Sequence, residues 1–308
     1  MPVLPSYIDV DGLRVAQGFD PECVREALNF KPRAGDIFVV TFPKCGTHWV
    51  QQILQVLVHR GESATNYFQF QMQTPFLEFT GTKILDALPP PRLLKTHLSF
   101  ERQPYHKEAK YVYVARNVKD CCVSFYHHTC GLPGYRFKNG SFDDYFDLFV
   151  KGETDFGDYF DHLLSWYAHR NDPNVFFTTF EDLKKDTRGI VLKMARFLGE
   201  EYAKMLEDDP EILKQVLDKS SMAYMKQTVD MQPEQVQKLV SENPQLVPQS
   251  VRNMLLEEDG SPSSMQFIRK GVVGDWKGHF TPEQIKRMQA RIEEKTKGSD
   301  VMSLWAEG

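Results

Sequence analysis

Several things are scarce in this chain. There is no surplus of positive charge: 37 Lys and Arg stand against 42 Asp and Glu, a formal net charge of -5 over 308 residues. That excludes a general coat for DNA or RNA. No stretch approaches the roughly 18 consecutive apolar residues needed to cross a bilayer, so no membrane partner is expected. Cysteine is sparse and odd in number: Cys23, Cys45, Cys121, Cys122 and Cys130. This reads as reduced intracellular thiols, not a disulfide framework. Met1 to Val10 has neither a basic start nor a long apolar run, so no signal or transit peptide is expected and the expected location is cytoplasmic. Internal repeats and low-complexity tracts are also missing. What remains is 41% hydrophobic and 26% charged, an ordinary globular composition. At about 150 residues per domain the length could hold two domains, and one large α/β domain fits equally well.

The organisation comes from alternating patterns. Asp36-Ile37-Phe38-Val39-Val40-Thr41 is a β-branched apolar run between Gly35 and Pro43, which predicts a buried strand. Val50, Ile53, Leu54, Leu57 and Val58 then recur at helical spacing, with Gln51, Gln52 and Gln55 between them. That predicts an amphipathic helix ending before Gly61. The plan repeats with a strand at Lys110 to Ala115 and a helix around Lys119 to His128. It repeats again with a strand at Val175 to Phe180 and a helix around Gly189 to Leu198. The expected fold class is α/β, a single domain over 1–308 with a central, mostly parallel sheet flanked by helices. Ligands of such sheets bind beyond the carboxyl ends of the strands. The segment from about 228 to 264 carries Pro233, Pro244, Pro248 and Pro262 among many Gln, Glu and Ser. It reads as a lid or surface excursion with little core content. Thr281-Pro282-Glu283-Gln284 supplies an N-cap, a proline at N1 and a glutamine at N3. Ile285, Met288 and Ile292 then mark one helix face.

Three segments carry candidate chemistry. In Thr41-Phe42-Pro43-Lys44-Cys45-Gly46-Thr47-His48-Trp49 a strand ends, a glycine turn follows and a helix begins. Unsatisfied N–H groups and the helix dipole there suit a phosphate, with Lys44 adding charge and Thr47 a hydroxyl. The G-x-x-x-x-G-K-[ST] spacing of nucleotide-triphosphate loops is missing. Next, Arg116 lies just past a strand and Ser124 two turns along the following helix, a fork and a hydroxyl that can grip a second phosphate. Last, Arg269-Lys270-Gly271-Val272-Val273-Gly274-Asp275 puts two cations beside a glycine-rich loop that can approach an anion. Taken singly, an ordinary turn, a surface arginine and a solvated loop remain open for the three. Cys121, Cys122, His127, His128 and Cys130 cluster as zinc ligands might be counted, but one short helix does not form the paired knuckles of a zinc site, and no metal is expected.

In this order and spacing, the segments resemble the cytosolic sulfotransferase family, whose cofactor is 3'-phosphoadenosine-5'-phosphosulfate (PAPS). That family carries sequences close to TYPKSGTTW, RNPKDVAVSYYH and RKGxxGDWK; here they read TFPKCGTHW, RNVKDCCVSFYHH and RKGVVGDWK. TPFLEF at Thr74 to Phe79, PRLLKTHL at Pro91 to Leu98 and FEDLKKD at Phe180 to Asp186 extend the resemblance over nearly the whole chain. It implies a P-loop-like phosphosulfate-binding loop in which Lys44, Cys45, Gly46, Thr47 and His48 hold the 5'-phosphate and Trp49 stacks on the adenine. Arg116, Ser124, Arg269, Lys270 and Gly271 would hold the 3'-phosphate, with Phe180, Ser220 and Met222 near the adenine. Cys45 and His48 replace the family's usual Ser and Thr, and Phe180 a Tyr, so backbone contacts are expected to survive while side-chain hydroxyl contacts are lost.

His97 matches the family's catalytic base. The resemblance implies that it deprotonates an acceptor hydroxyl, with Lys44 neutralising the bridging oxygen as 3'-phosphoadenosine-5'-phosphate (PAP) leaves, and Lys95 and Ser124 orienting. Protein cations suffice for this, so no metal is called for. The partner expected is a small-molecule hydroxyl acceptor. Phe19, Phe76 and Phe79 divide evenly between core and acceptor-pocket readings, and His128 adds a polar group, which points to a phenol, catechol or phenolic amine. The alternatives are a small-molecule kinase with a related loop, or a nucleotide-binding protein without catalysis. The family's KxxxTVxxxE pairing segment is altered between Lys277 and Lys286, with Pro282 for Val and Lys286 for Glu, so a monomer or weak dimer is expected.

Overall fold

The computed structural model describes residues 3–242 and 247–306. Pro244, part of the predicted excursion, lies outside the described residues, as do Met1 and Pro2. Six strands are present among the described residues: β1 (Tyr7–Val10), β2 (Leu13–Ala16), β3 (Ile37–Val40), β4 (Leu93–Thr96), β5 (Lys110–Ala115) and β6 (Val175–Thr179). The first two form an antiparallel hairpin, and the other four a parallel sheet in the order β4-β3-β5-β6. The α/β class with a parallel sheet and flanking helices agrees with the sequence reading.

Alternation along the central strands divides the core. Ile37 and Val39 with Val112 and Val114 face helices Thr47–Val58, Thr187–Leu198 and Pro210–Lys219. Phe38 and Val40 with Tyr111 and Tyr113 face the opposite layer, built around helices Val118–Gly131, Phe142–Lys151 and Tyr159–Tyr167. Strands covered on both faces read as continuous apolar runs instead of alternating ones, which is why β3 and β5 were legible. The order also locates a site. The chain leaves β3 toward β4 on one side and returns to β5 on the other, so a crevice opens beyond the ends of β3 and β5. Val40 and Ala115 end those strands, and the lysine loop and Arg116 follow them directly.

Two local expectations change. The Thr47–Val58 helix is not amphipathic in the ordinary sense, because Gln51, Gln52 and Gln55 are buried with its apolar residues. Each amide nitrogen has a partner: Gln51 and Gln55 donate to the Phe70 carbonyl (3.0 and 2.7 Å), and Gln52 to the Ser63 hydroxyl (2.8 Å). Hydrogen bonding of the nitrogens offsets part of the cost of burial, while the Gln52 and Gln55 oxygens have no partner among the described residues. The segment after Thr228 also holds more core than its composition suggests. Val229, Met231, Val236, Met254 and Leu255 are buried, and helices Pro233–Glu242 and Gln249–Leu255 run within it. The capping box at Thr281 and Gln284 forms as the sequence predicts.

Candidate functional site

A cavity of about 860 Å³ opens beyond the ends of β3 and β5. Of the predicted site residues, Phe19, Lys44, Gly46, Thr47, His48, Trp49, Phe76, Phe79, Lys95, His97, Arg116, Ser124, His128, Phe180, Ser220, Met222, Arg269, Lys270 and Gly271 all line it. Cys45 does not. Its side chain is buried, with Sγ 3.7 Å from Sγ of Cys121, so only its backbone can face a ligand.

One end is polar and held by backbone. Lys44 has φ 69°, and Gly46, with φ 102°, caps the Thr47–Val58 helix without any side-chain cap. The leading N–H groups therefore face the cavity end with the dipole behind them. A Cβ on Gly46 would come within 3.0 Å of the Phe180 ring, so the turn depends on glycine for both reasons. Arg116 donates to the Lys44 carbonyl (3.2 Å) and the Val272 carbonyl (3.1 Å), tying the first loop to the last. Its guanidinium also lies 4.5 Å from the centre of the Phe180 ring, which packs edge-on against Trp49. Arg269 and Lys270 both pair with Asp275, at 2.6 and 2.7 Å. Burial opposes ionisation of that carboxyl, but the two cations outweigh it and hold it at about 2. Gly271 has φ 62°, and a Cβ there would meet the end of Met222 at 1.8 Å.

Asp120, which sequence reasoning left without a role, fixes this geometry. Its buried carboxylate accepts from Gly274 N (2.7 Å) and Trp276 N (3.0 Å), which docks the late loop on the Val118–Gly131 helix. The signal was available, since an acid in the first turn of a helix after Arg-Asn is placed to hold backbone amides.

The other end is built around His97. Its Nδ1 lies 2.7 Å from the Thr41 carbonyl, which can only accept, so Nδ1 carries the proton and Nε2 keeps a lone pair. Desolvation lowers its pKa to about 3, with neighbouring Lys95 and Lys44 adding to the shift. The ring is therefore neutral at physiological pH. Glu78, also unassigned from sequence, accepts from His97 N (2.8 Å) and the Thr96 hydroxyl (2.6 Å). Phe76 stands 4.8 Å from the His97 ring and Phe156 5.2 Å, while Phe19 packs on Phe76, Phe79 and Phe156. These three predicted phenylalanines thus line the cavity as an aromatic wall.

Cations bridge the two ends. Lys44 Nζ lies 3.5 Å from His128 Nδ1. Burial, with Arg116 adding to the effect, lowers the Lys44 pKa to about 8. Lys95 donates to Gln71 (2.8 Å) and Gln51 (3.3 Å), and burial brings it down to about 7. With the Lys95 ammonium donating to its oxygen, Gln71 presents its nitrogen to His48 Nε2, 3.1 Å away. His48 is thereby fixed as a neutral ring with its proton on Nδ1. Three further groups on the Val118–Gly131 helix point elsewhere: Cys121 toward Cys45, Cys130 toward Gly140, and His127 toward His279.

The family model described as the sulfotransferase domain matches residues 34–300. Human sulfotransferase 1C2 is 30% identical over 288 residues, 89% of this chain and 87% of that one. Rabbit amine sulfotransferase is 31% identical over 293 residues, 93% and 89% of the two chains. Among solved structures, mouse sulfotransferase SULT7A1 complexed with PAP is 28% identical, covers 97% of each chain, and superposes with a TM-score of 0.72. The chain belongs to the sulfotransferase family.

Proposed function

We propose that this protein transfers a sulfuryl group from PAPS to the hydroxyl of a small aromatic acceptor, a phenol, catechol or phenolic amine. One observation carries the reading: a single cavity joins an anion-binding turn, a second cationic cluster and a neutral histidine with a free Nε2 inside an aromatic wall.

The nucleotide end fits a ligand with two separated phosphates. Arg116 Nε and Trp49 Nε1 are buried with no hydrogen-bond partner among the described residues, the expected mark of a polar site made for a ligand. Lys44, Gly46, Thr47 and His48 would hold the 5' group. Arg116, Ser124, Arg269, Lys270 and Gly271 would hold the 3'-phosphate, with Trp49, Phe180, Ser220 and Met222 around the base. When bound, the cofactor supplies the sulfuryl group and an anionic leaving group. His97 Nε2 takes the proton of the acceptor hydroxyl, while Thr41 and Glu78 hold the ring and its backbone in place. Lys44 would neutralise the negative charge that grows on the bridging oxygen, and a cation in a desolvated site stabilises such charge strongly. Lys95, through Gln71, orients His48, and Ser124 faces the same end of the cavity. These side chains supply the charge stabilisation without a metal. The five free thiols support a reducing, cytoplasmic setting. The altered pairing segment supports a monomer or weak dimer, and the helices after Thr228 support a lid over the acceptor end.

Donors labelled on the transferable group test this directly. PAPS with a phenol panel is expected to yield labelled sulfate ester, and ATP none. Product from ATP alone would establish a kinase instead.

A further inference from the structure

Among the described residues lining the cavity, six are cationic and one is a carboxylate. Lys44, Lys95, Arg116, Lys184, Arg269 and Lys270 have the nucleotide's charge to answer. Asp155 does not. It lies at the acceptor end, next in sequence to Phe156, whose ring packs on Phe19, Phe76 and His97.

Asp155 is fully buried, and only half of it is satisfied. Oδ2 accepts from the Tyr135 hydroxyl at 2.6 Å. Oδ1 is buried with no hydrogen-bond partner among the described residues. Burial raises its pKa to about 7, against the opposing bond from Tyr135. An orphaned carboxylate oxygen is costly, and a native protein keeps one chiefly where something else completes it. The backbone also goes out of its way to place this pair. Phe156 has φ 60°, a conformation unfavourable for an aromatic residue. Its N–H is held by the Arg14 carbonyl (2.8 Å), and the Thr154 hydroxyl donates to the Gly157 carbonyl (3.2 Å). The strained turn presents Phe156 to the base and Asp155 to the same wall. Tyr135 ties that wall to His128, with the two ring centres 5.8 Å apart.

We propose that Asp155 is the specificity-determining residue of the acceptor end, and that it selects acceptors carrying a cationic amine on the aromatic ring's side chain. The inference rests on the sulfuryl-transfer reading and narrows its acceptor. The aromatic wall holds the ring with its hydroxyl toward His97, and the ammonium completes Oδ1 with a charge-assisted hydrogen bond, stronger than a neutral one in a dry site. A neutral phenol of the same shape leaves that oxygen unpaired, and a site built to bond a group discriminates against the analogue lacking it.

The test compares tyramine with 4-ethylphenol, which differ by the amine alone. Wild-type protein with PAPS is expected to favour tyramine by about tenfold or more in kcat/KM, and Asp155→Asn is expected to bring the ratio near one. Equal kcat/KM in the wild type, or an unchanged ratio in Asp155→Asn, overturns the proposal. Tyr135→Phe keeps the carboxylate while removing its internal partner, and serves if Asp155→Asn does not fold; its preference for tyramine should persist, and losing it overturns the proposal. The PAP-loaded wild type is also melted with each compound. Tyramine is expected to raise Tm more than 4-ethylphenol, and equal shifts count against the subsite. If neither compound is sulfated, the transfer reading fails while the melting comparison still decides the subsite.

Discussion

The two ends of the cavity are built by different means. The nucleotide end is built largely on backbone turns: two glycine turns, one at the end of β3 and one in the 269–274 loop, are joined by Arg116, and Asp120 docks the second on the Val118–Gly131 helix. The acceptor end is assembled from side chains of distant segments. Phe19, Phe76, His97, His128, Asp155 and Met254 meet only in the folded chain. In the proposed function, backbone amides would meet what every ligand of the site shares, the phosphates, whereas side chains can be exchanged one at a time. A family that keeps its donor and varies its acceptor needs this division.

The largest test of that division is His97→Ala. Turnover is expected to fall about 10³-fold, while PAP binding measured by calorimetry changes by no more than about threefold. If both were lost together, the ends would not be separable. A smaller effect comes from pH. Lys44 is charged below about 8 and neutral above it, and an anionic ligand binds the charged form. PAP affinity is therefore expected to fall about 30-fold between pH 7 and 9.5, a loss that Lys44→Met should sharply reduce. Smaller still is Gly271→Ala. The left-handed backbone and the contact with Met222 should weaken PAP about fivefold and leave the acceptor KM nearly unchanged. A larger change in acceptor KM would blur the boundary between the ends.

The same division explains what could be read from the sequence. Pro43-Lys44-Cys45-Gly46-Thr47 and Arg269-Lys270-Gly271 declare themselves because glycine, cation and strand-to-helix junction are neighbours in sequence. β3, β5 and β6 were legible as apolar runs. β4, Leu93–Thr96, has only two apolar residues before Lys95, and its lysine is buried only because Gln51 and Gln71 meet it. The β1–β2 hairpin went unread although Asp11-Gly12, a favoured hairpin turn, lies between its strands. The buried glutamines of the Thr47–Val58 helix followed a solvent-facing pattern, and only their partners in other segments reveal otherwise. Glu78 and Asp155 were invisible for the same reason. A lone carboxylate acquires a role from what surrounds it, and both sets of partners, His97 with Thr96 and Tyr135, come from elsewhere in the chain.

The central claim is that one cavity holds a nucleotide with two separated phosphates beside a neutral base. Calorimetric titration of PAP against ADP tests it most directly, since ADP carries its phosphates in one contiguous chain. The account predicts that PAP binds at least about 100-fold more tightly, because Arg116, Arg269 and Lys270 meet a 3'-phosphate that ADP lacks. Equal affinity, or a preference for ADP, would contradict it.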